Sequence, residues 1–144
     1  MITVAEAHAS STAGPAGFFA MWADMAAWPD WNDDMEWVRL DGPFATGSTG
    51  QMKPKGGPRV KFVIERLVPG REFVDVSLLL GARLVVDHQV SPRPDGSCEV
   101  DVTVRLSGPL SRVWNLILGG DFRKRSQSDL DHLVRLVQEQ TSAR

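Results

Sequence analysis

The chain predicts an α+β fold: a seven-stranded antiparallel sheet, a helix after its first strand, and a long helix at the C-terminal end. Three observations carry this. Six strand-like runs follow one another between Met35 and Leu106, separated by glycine- and proline-bearing turns too short for parallel crossovers. From Pro109 onward the apolar period lengthens from two to about 3.6. Before the runs, Gly14-Pro15 opens a helix-like stretch behind a first strand. A length of 144 residues suits one domain, residues 1–144, around one core.

In order, Ile2 to Ala9 reads as the first strand, and Ser10, Ser11, Thr12 and Gly14-Pro15 start a helix running to about Asp24. Its apolar face is broad, with Phe18, Phe19, Met21, Trp22 and Met25. Proline fixes its own φ and disfavours the α region before it, so Trp28-Pro29 predicts a rigid turn with an indole on either side. Strands follow at Met35 to Leu40 and Thr49 to Lys55. Arg59 to Leu67 alternates Val60, Phe62 and Ile64 against Lys61 and Glu65. Arg71 to Leu79 sets Val74, Val76 and Leu78 against Asp75 and Ser77, which predicts the valines on the inner face. Leu84, Val86, His88 and Val90 oppose Arg83, Asp87 and Gln89, and Cys98 to Leu106 alternates most cleanly. The last helix spans about Leu110 to Gln140, with a kink or break expected at Gly119-Gly120. Its seam carries Leu110, Val113, Trp114, Ile117, Leu118 and Phe122, then Leu130, Leu133, Val134 and Val137. Ser126 and Asp129 interrupt that seam, either as polar contacts inside or as solvated residues past a kink.

Composition excludes several function classes. No apolar run of the ~20 residues that a membrane span requires is present, so no stable membrane insertion is expected. The first basic residue is Arg39, so the start lacks a secretory n-region, and a cytoplasmic location is expected. The net charge of -2 gives no general attraction to nucleic acid. His8, His88 and His132 stand far apart and Cys98 is alone, which disfavours a metal site; no cofactor is expected. Gly47-Ser48-Thr49-Gly50 lacks the Gly-Lys-Ser/Thr ending of a phosphate loop, and no serine lies in Gly-x-Ser-x-Gly.

Three stretches point further: Phe18-Phe19-Ala20-Met21-Trp22-Ala23-Asp24 with Trp28-Pro29-Asp30-Trp31-Asn32, then Gly47-Ser48-Thr49-Gly50, and Gly108-Pro109-Leu110 through Leu118-Gly119-Gly120. Together they resemble the polyketide cyclase/dehydrase-like group of the START-like (SRPBCC) superfamily, over nearly the whole chain. The resemblance implies a helix-grip fold, in which a curved antiparallel sheet wraps the terminal helix and encloses a cavity. It implies a small hydrophobic ligand, such as a lipid, isoprenoid or polyketide-like molecule, with a monomer or homodimer as the assembly. It also leaves open a cyclase or aromatase performing aldol closure and dehydration, and a co-chaperone-like interaction module. The chain has no tyrosine, so the phenols that often assist polyketide chemistry are absent.

Within that fold the candidate ligand-binding residues are Trp22, Trp31, Met52, Phe62, Val76, Val86, His88, Trp114, Ile117, Leu118, Phe122 and Ser126. The same apolar residues would equally fill a solid core. His88 is the candidate general base, as the one ionisable residue on an otherwise apolar strand face. Trp31 and Trp28 are expected either at a pocket mouth or as loop anchors.

Overall fold

The computed structural model describes residues 1–142. Strand β1 (Ile2–Ser11) leads to α1 (Pro15–Ala23) and a short 3-10 helix (Met25–Asp30). Then come β2 (Met35–Asp41), β3 (Thr49–Pro54), β4 (Val60–Val68), β5 (Glu72–Leu79), β6 (Ala82–Pro92), β7 (Cys98–Ser107) and α2 (Ser111–Ser142). All neighbours are antiparallel, in the order β1-β7-β6-β5-β4-β3-β2. The expected sheet and helices are present; β2 to β7 form a meander of hairpins, and β1 joins its far side against β7.

Local chemistry explains the joints. Pro15 starts α1 behind an extended Gly14, where its missing N–H is not needed. The β4–β5 and β5–β6 turns place Gly70 at φ 78° and Gly81 at φ 68°, a region that side chains with a Cβ resist. The Trp28-Pro29 pair does not end in a free turn: it lies inside the 3-10 helix, whose φ proline matches. There Trp28 Nε1 donates to the Trp22 carbonyl at 3.1 Å, which ties the 3-10 helix back to α1.

The helix α2 is also not broken at Gly119-Gly120. It runs uninterrupted for 32 residues, roughly 48 Å at 1.5 Å per residue. Packing against the sheet overrides the intrinsic glycine penalty of about 1 kcal/mol. Its rear half buries Leu130, Leu133, Val134 and Val137 in a core shared with Phe18, Trp22, Phe62 and Phe73. Its front half covers a second cluster built on Leu84, Val104 and Leu106, to which Trp114 and Phe122 contribute. Cys98 is fully buried, with its thiol 3.3 Å from the Ala13 carbonyl.

The helix also seals the β1 edge. Gln127 Oε1 accepts the His8 N–H at 3.0 Å and its Nε2 donates to the His8 carbonyl at 2.7 Å, as a neighbouring strand would. Gln138 Oε1 accepts the Thr12 N–H at 3.0 Å one stretch further along.

Candidate ligand site on the inner face of the sheet

The hairpin registers decide which side chains meet under α2. Phe62 lies opposite Ser77 and Ile64 opposite Asp75 across β4 and β5. Phe73 lies opposite His88, Asp75 opposite Val86 and Ser77 opposite Leu84 across β5 and β6. Paired residues share a face, so Asp75, Ser77 and His88 stand among Phe62, Phe73, Leu84 and Val86 on the buried side. The parity expected for β5 is therefore reversed. Val76 sits on the outer face in a row with Val63, Val85 and Arg105, and does not line the interior. Both faces of β5 are buried, so its outward valines looked inward by composition alone.

Asp75 is 3% exposed and makes no hydrogen bond or ion pair among the described residues. Burial raises its carboxyl from the ordinary 3.8 to about 7. Around neutral pH it exists as a mixture of acid and carboxylate. Ser77 Oγ contacts only Met52 Sδ, at 3.9 Å, a weak acceptor.

His88 is 7% exposed. Its Nδ1 lies 2.8 Å from the Phe73 carbonyl, an acceptor, so Nδ1 carries the proton in the neutral ring and Nε2 keeps a lone pair. Burial lowers the imidazole to about 4, outweighing the Phe73 carbonyl and Asp87, which act to raise it. The ring stacks on Phe73 at 4.7 Å and 14°, and its centroid is 4.9 Å from that of Trp22. The sealed polar atoms without a partner include Trp22 Nε1 and Trp31 Nε1 but neither the Asp75 oxygens nor His88 Nε2. Both of those groups retain accessible area at their polar ends.

From the helix side, Leu118 and Phe122 are half-buried over the sheet. Trp114 is half-buried too, and its Nε1 donates to the Leu80 carbonyl at 2.8 Å. Ser126 spends its hydroxyl on the Phe122 carbonyl at 2.6 Å, one turn back along the helix. Asp129 is half-buried, and burial, then Asp34 and Asp33, raises its carboxyl to about 6. Arg125 opposes that rise and also pairs with Asp34 at 3.0 Å. The interruption of the α2 seam is thus a partly enclosed acidic spot facing the loop before β2, not a solvated drift.

One further expectation is corrected. Ile117 is 60% exposed, on the side of α2 that faces away from the sheet, because the inward stripe runs through Trp114, Leu118, Phe122 and Ser126. Of the two placements expected for Trp31, the structure has the anchoring one: it is buried beside Trp28, ring centroids 5.7 Å apart. Trp22, Met52 and Phe62 lie buried in the interior, and Val86 is half-buried there. Asp75 and Ser77 escaped the sequence reading. The signal for them was Phe73, an aromatic residue sharing their parity.

The clearest hollows lie elsewhere. A groove of about 490 Å³ on the outer face is lined by Glu6, His8, Asp87, Asp101, Arg105 and Gln127, among others. Some of its polar groups pair with one another, as His8 and Asp101 do at 2.7 Å, while Asp87 Oδ1 is sealed there without a partner. A second, of about 310 Å³, lies between the end of α1 and β2. Neither touches Asp75 or His88. Among the described residues no three His, Cys, Asp or Glu side chains form a metal-holding group, and no helix is long and apolar enough to cross a membrane.

The sequence profile of the family described as polyketide cyclase / dehydrase and lipid transport matches residues 1–138. The chain belongs to this family. Among curated protein sequences none matches. Solved structures share the fold. A norcoclaurine synthase point mutant from Thalictrum flavum, bound to a transition-state analogue, superposes with TM-score 0.70 at 16% identity, covering 98% of this chain and 99% of that one. Ara h 8.0201 gives 0.69 at 14% identity, covering 93% and 96%. MLL2253 from Mesorhizobium loti gives 0.70 at 14%, also covering 93% and 96%. The helix-grip arrangement is thereby established, and family membership implies a place for a hydrophobic ligand between sheet and helix.

Proposed function

We propose that this protein binds a small, mainly apolar molecule between the inner face of the sheet and α2, and that the molecule's polar end meets Asp75 and His88. The observation that carries this is the partnerless Asp75 carboxyl and the free Nε2 of His88, whose Nδ1 is held by the Phe73 carbonyl, among Phe62, Phe73, Trp22 and Val86. A buried polar group without a partner is costly, by about 1–3 kcal/mol. A ligand that supplies the missing partner recovers that free energy together with apolar burial, and ligand pockets combine these two features. A lipid, an isoprenoid or a polyketide-like molecule with one oxygen-bearing end fits the description.

The test is native mass spectrometry of the purified protein, with extraction of anything bound, followed by titration of the recovered molecule against tryptophan emission. Trp22 is the reporter, since its ring lies 4.9 Å from that of His88. Asp75→Asn and His88→Ala should each weaken binding about tenfold, the effect of losing a buried hydrogen bond of about 1.4 kcal/mol. Unchanged affinity in both variants would sink the placement of the polar end.

A second reading, a polyketide cyclase or dehydratase, is favoured by one feature of the same pair. A neutral imidazole with a free Nε2 lone pair stands diagonally across the β5–β6 ladder from a carboxyl that is protonated part of the time. That is a base and an acid within reach of one bound molecule, as aldol closure and dehydration require. Loss of turnover in His88→Ala with ligand affinity retained would select this reading; a poly-β-ketone left uncyclised by the native protein would remove it.

A further inference from the structure

The front of α2 is apolar both toward the sheet and along part of its outer side. Between Val113 and Leu118 only Asn115 is polar. Trp114 and Leu118 turn toward the sheet, yet Leu116 is 86% exposed and Ile117 60%, with Val113 and Leu110 exposed along the same outer side. The spacing 110, 113, 117 and 113, 116, 117 makes these four neighbours on successive turns. The β5–β6 hairpin tip extends them: Leu80 is 81% exposed, its carbonyl is held by Trp114, and the adjacent Gly81 abuts the Leu110 side chain. A contiguous exposed apolar patch of this kind marks an interaction surface.

The charge around the patch identifies what covers it. Residues 109–125 hold four cations, Arg112, Arg123, Lys124 and Arg125, against one acid, Asp121, in a chain whose net charge is -2. Arg125 is paired with Asp34. On the helix wheel Arg112 and Arg123 lie on one side of Leu116, within about 40° of it, while Lys124 prolongs the line of Ile117 by about two turns. None of those three takes part in an ion pair among the described residues. Asp121 lies toward the loop before β2, where it acts on Asp34. Apolar side chains bordered by unpaired cations are the composition that seats a surface helix at an anionic bilayer. A second copy of the same face would bring these cations together.

We propose that this patch, Leu80 with Leu110, Val113, Leu116 and Ile117, is a peripheral docking surface for an anionic phospholipid bilayer. It stands independently of what the interior holds. The test is flotation of the whole protein with vesicles of phosphatidylcholine, alone or mixed with phosphatidylglycerol. The native protein should float with the mixed vesicles, bind the neutral ones several-fold less, and lose binding as salt is added. Leu116→Asp with Ile117→Asp, at exposed positions that leave the fold intact by circular dichroism, should lower the bound fraction about tenfold or more. Arg112→Gln with Lys124→Gln should reduce binding to the mixed vesicles and leave the weaker binding to neutral ones. Native protein that stays unbound with both vesicle types would overturn the proposal. So would a native dimer by light scattering that the double aspartate variant converts to monomer, which would assign the face to a second copy.

Discussion

Asp75→Asn is expected to make the protein more stable at alkaline pH and nearly neutral in effect at acid pH. In the unfolded chain the carboxyl titrates at its ordinary 3.8; in the fold, burial raises it to about 7. Between those values the folded state holds a proton that the unfolded state lacks, so the native protein loses stability as pH rises through this window. At about 1.4 kcal/mol per tenfold in proton affinity, the full loss above pH 7 is about 4 kcal/mol. Asparagine cannot ionise and escapes it. Urea denaturation at pH 4.5 and pH 8.5 measures the effect as a difference between variant and native protein. His88 and Asp129 titrate in both proteins and cancel in that difference. The expected result is an advantage for Asp75→Asn that grows by about 3 kcal/mol between the two pH values, since about 1 kcal/mol is already present at pH 4.5. An advantage that does not grow would refute the burial of an unpaired acid at this position.

Three other outcomes follow. His88 has the opposite sign: its folded value of about 4 lies below the ordinary 6.5, so its stabilisation is complete above 6.5 and is lost by up to about 3 kcal/mol as pH falls toward 4. His88→Gln should flatten that acid limb in the same urea measurement. Gly50→Ala should destabilise by about 3 kcal/mol in thermal unfolding, because an added Cβ would meet the Arg39 carbonyl oxygen and lie 2.5 Å from Phe62 Cζ. Gln127→Ala removes the two hydrogen bonds to the His8 backbone; since water can replace them there, the loss should be about 1 kcal/mol, with faster amide exchange at His8.

The fold was legible where one face of an element is buried and the other wet. Phe62 and Ile64 in β4, and Val100, Val104 and Leu106 in β7, face inward as their alternation implied. Legibility failed in β5, where Phe73 to Ser77 are all buried and periodicity cannot tell the faces apart. Only the pairing of Ile64 with Asp75 decides, and register is a property of two strands together. The front of α2 misled for a related reason. Its apolar residues are too many for one stripe, so Ile117 looked like a member of the inner seam when it belongs to the outer one. His88 was visible as the odd residue on an apolar strand, while its low proton affinity depends on enclosure by Phe73 and Trp22, which come from elsewhere in the chain.

The glutamine contacts along β1 bear on how copies of this protein could associate through their sheets. Extension of a sheet from molecule to molecule requires two available edges, since each copy must both receive a strand and offer one. Here β1 already has its backbone groups taken at His8 and Thr12 by α2. The remaining edge, β2, carries the charged side chains of Glu36, Arg39 and Asp41. Edge-to-edge pairing through the His8–Thr12 end of the β1 edge therefore first requires α2 to leave the sheet.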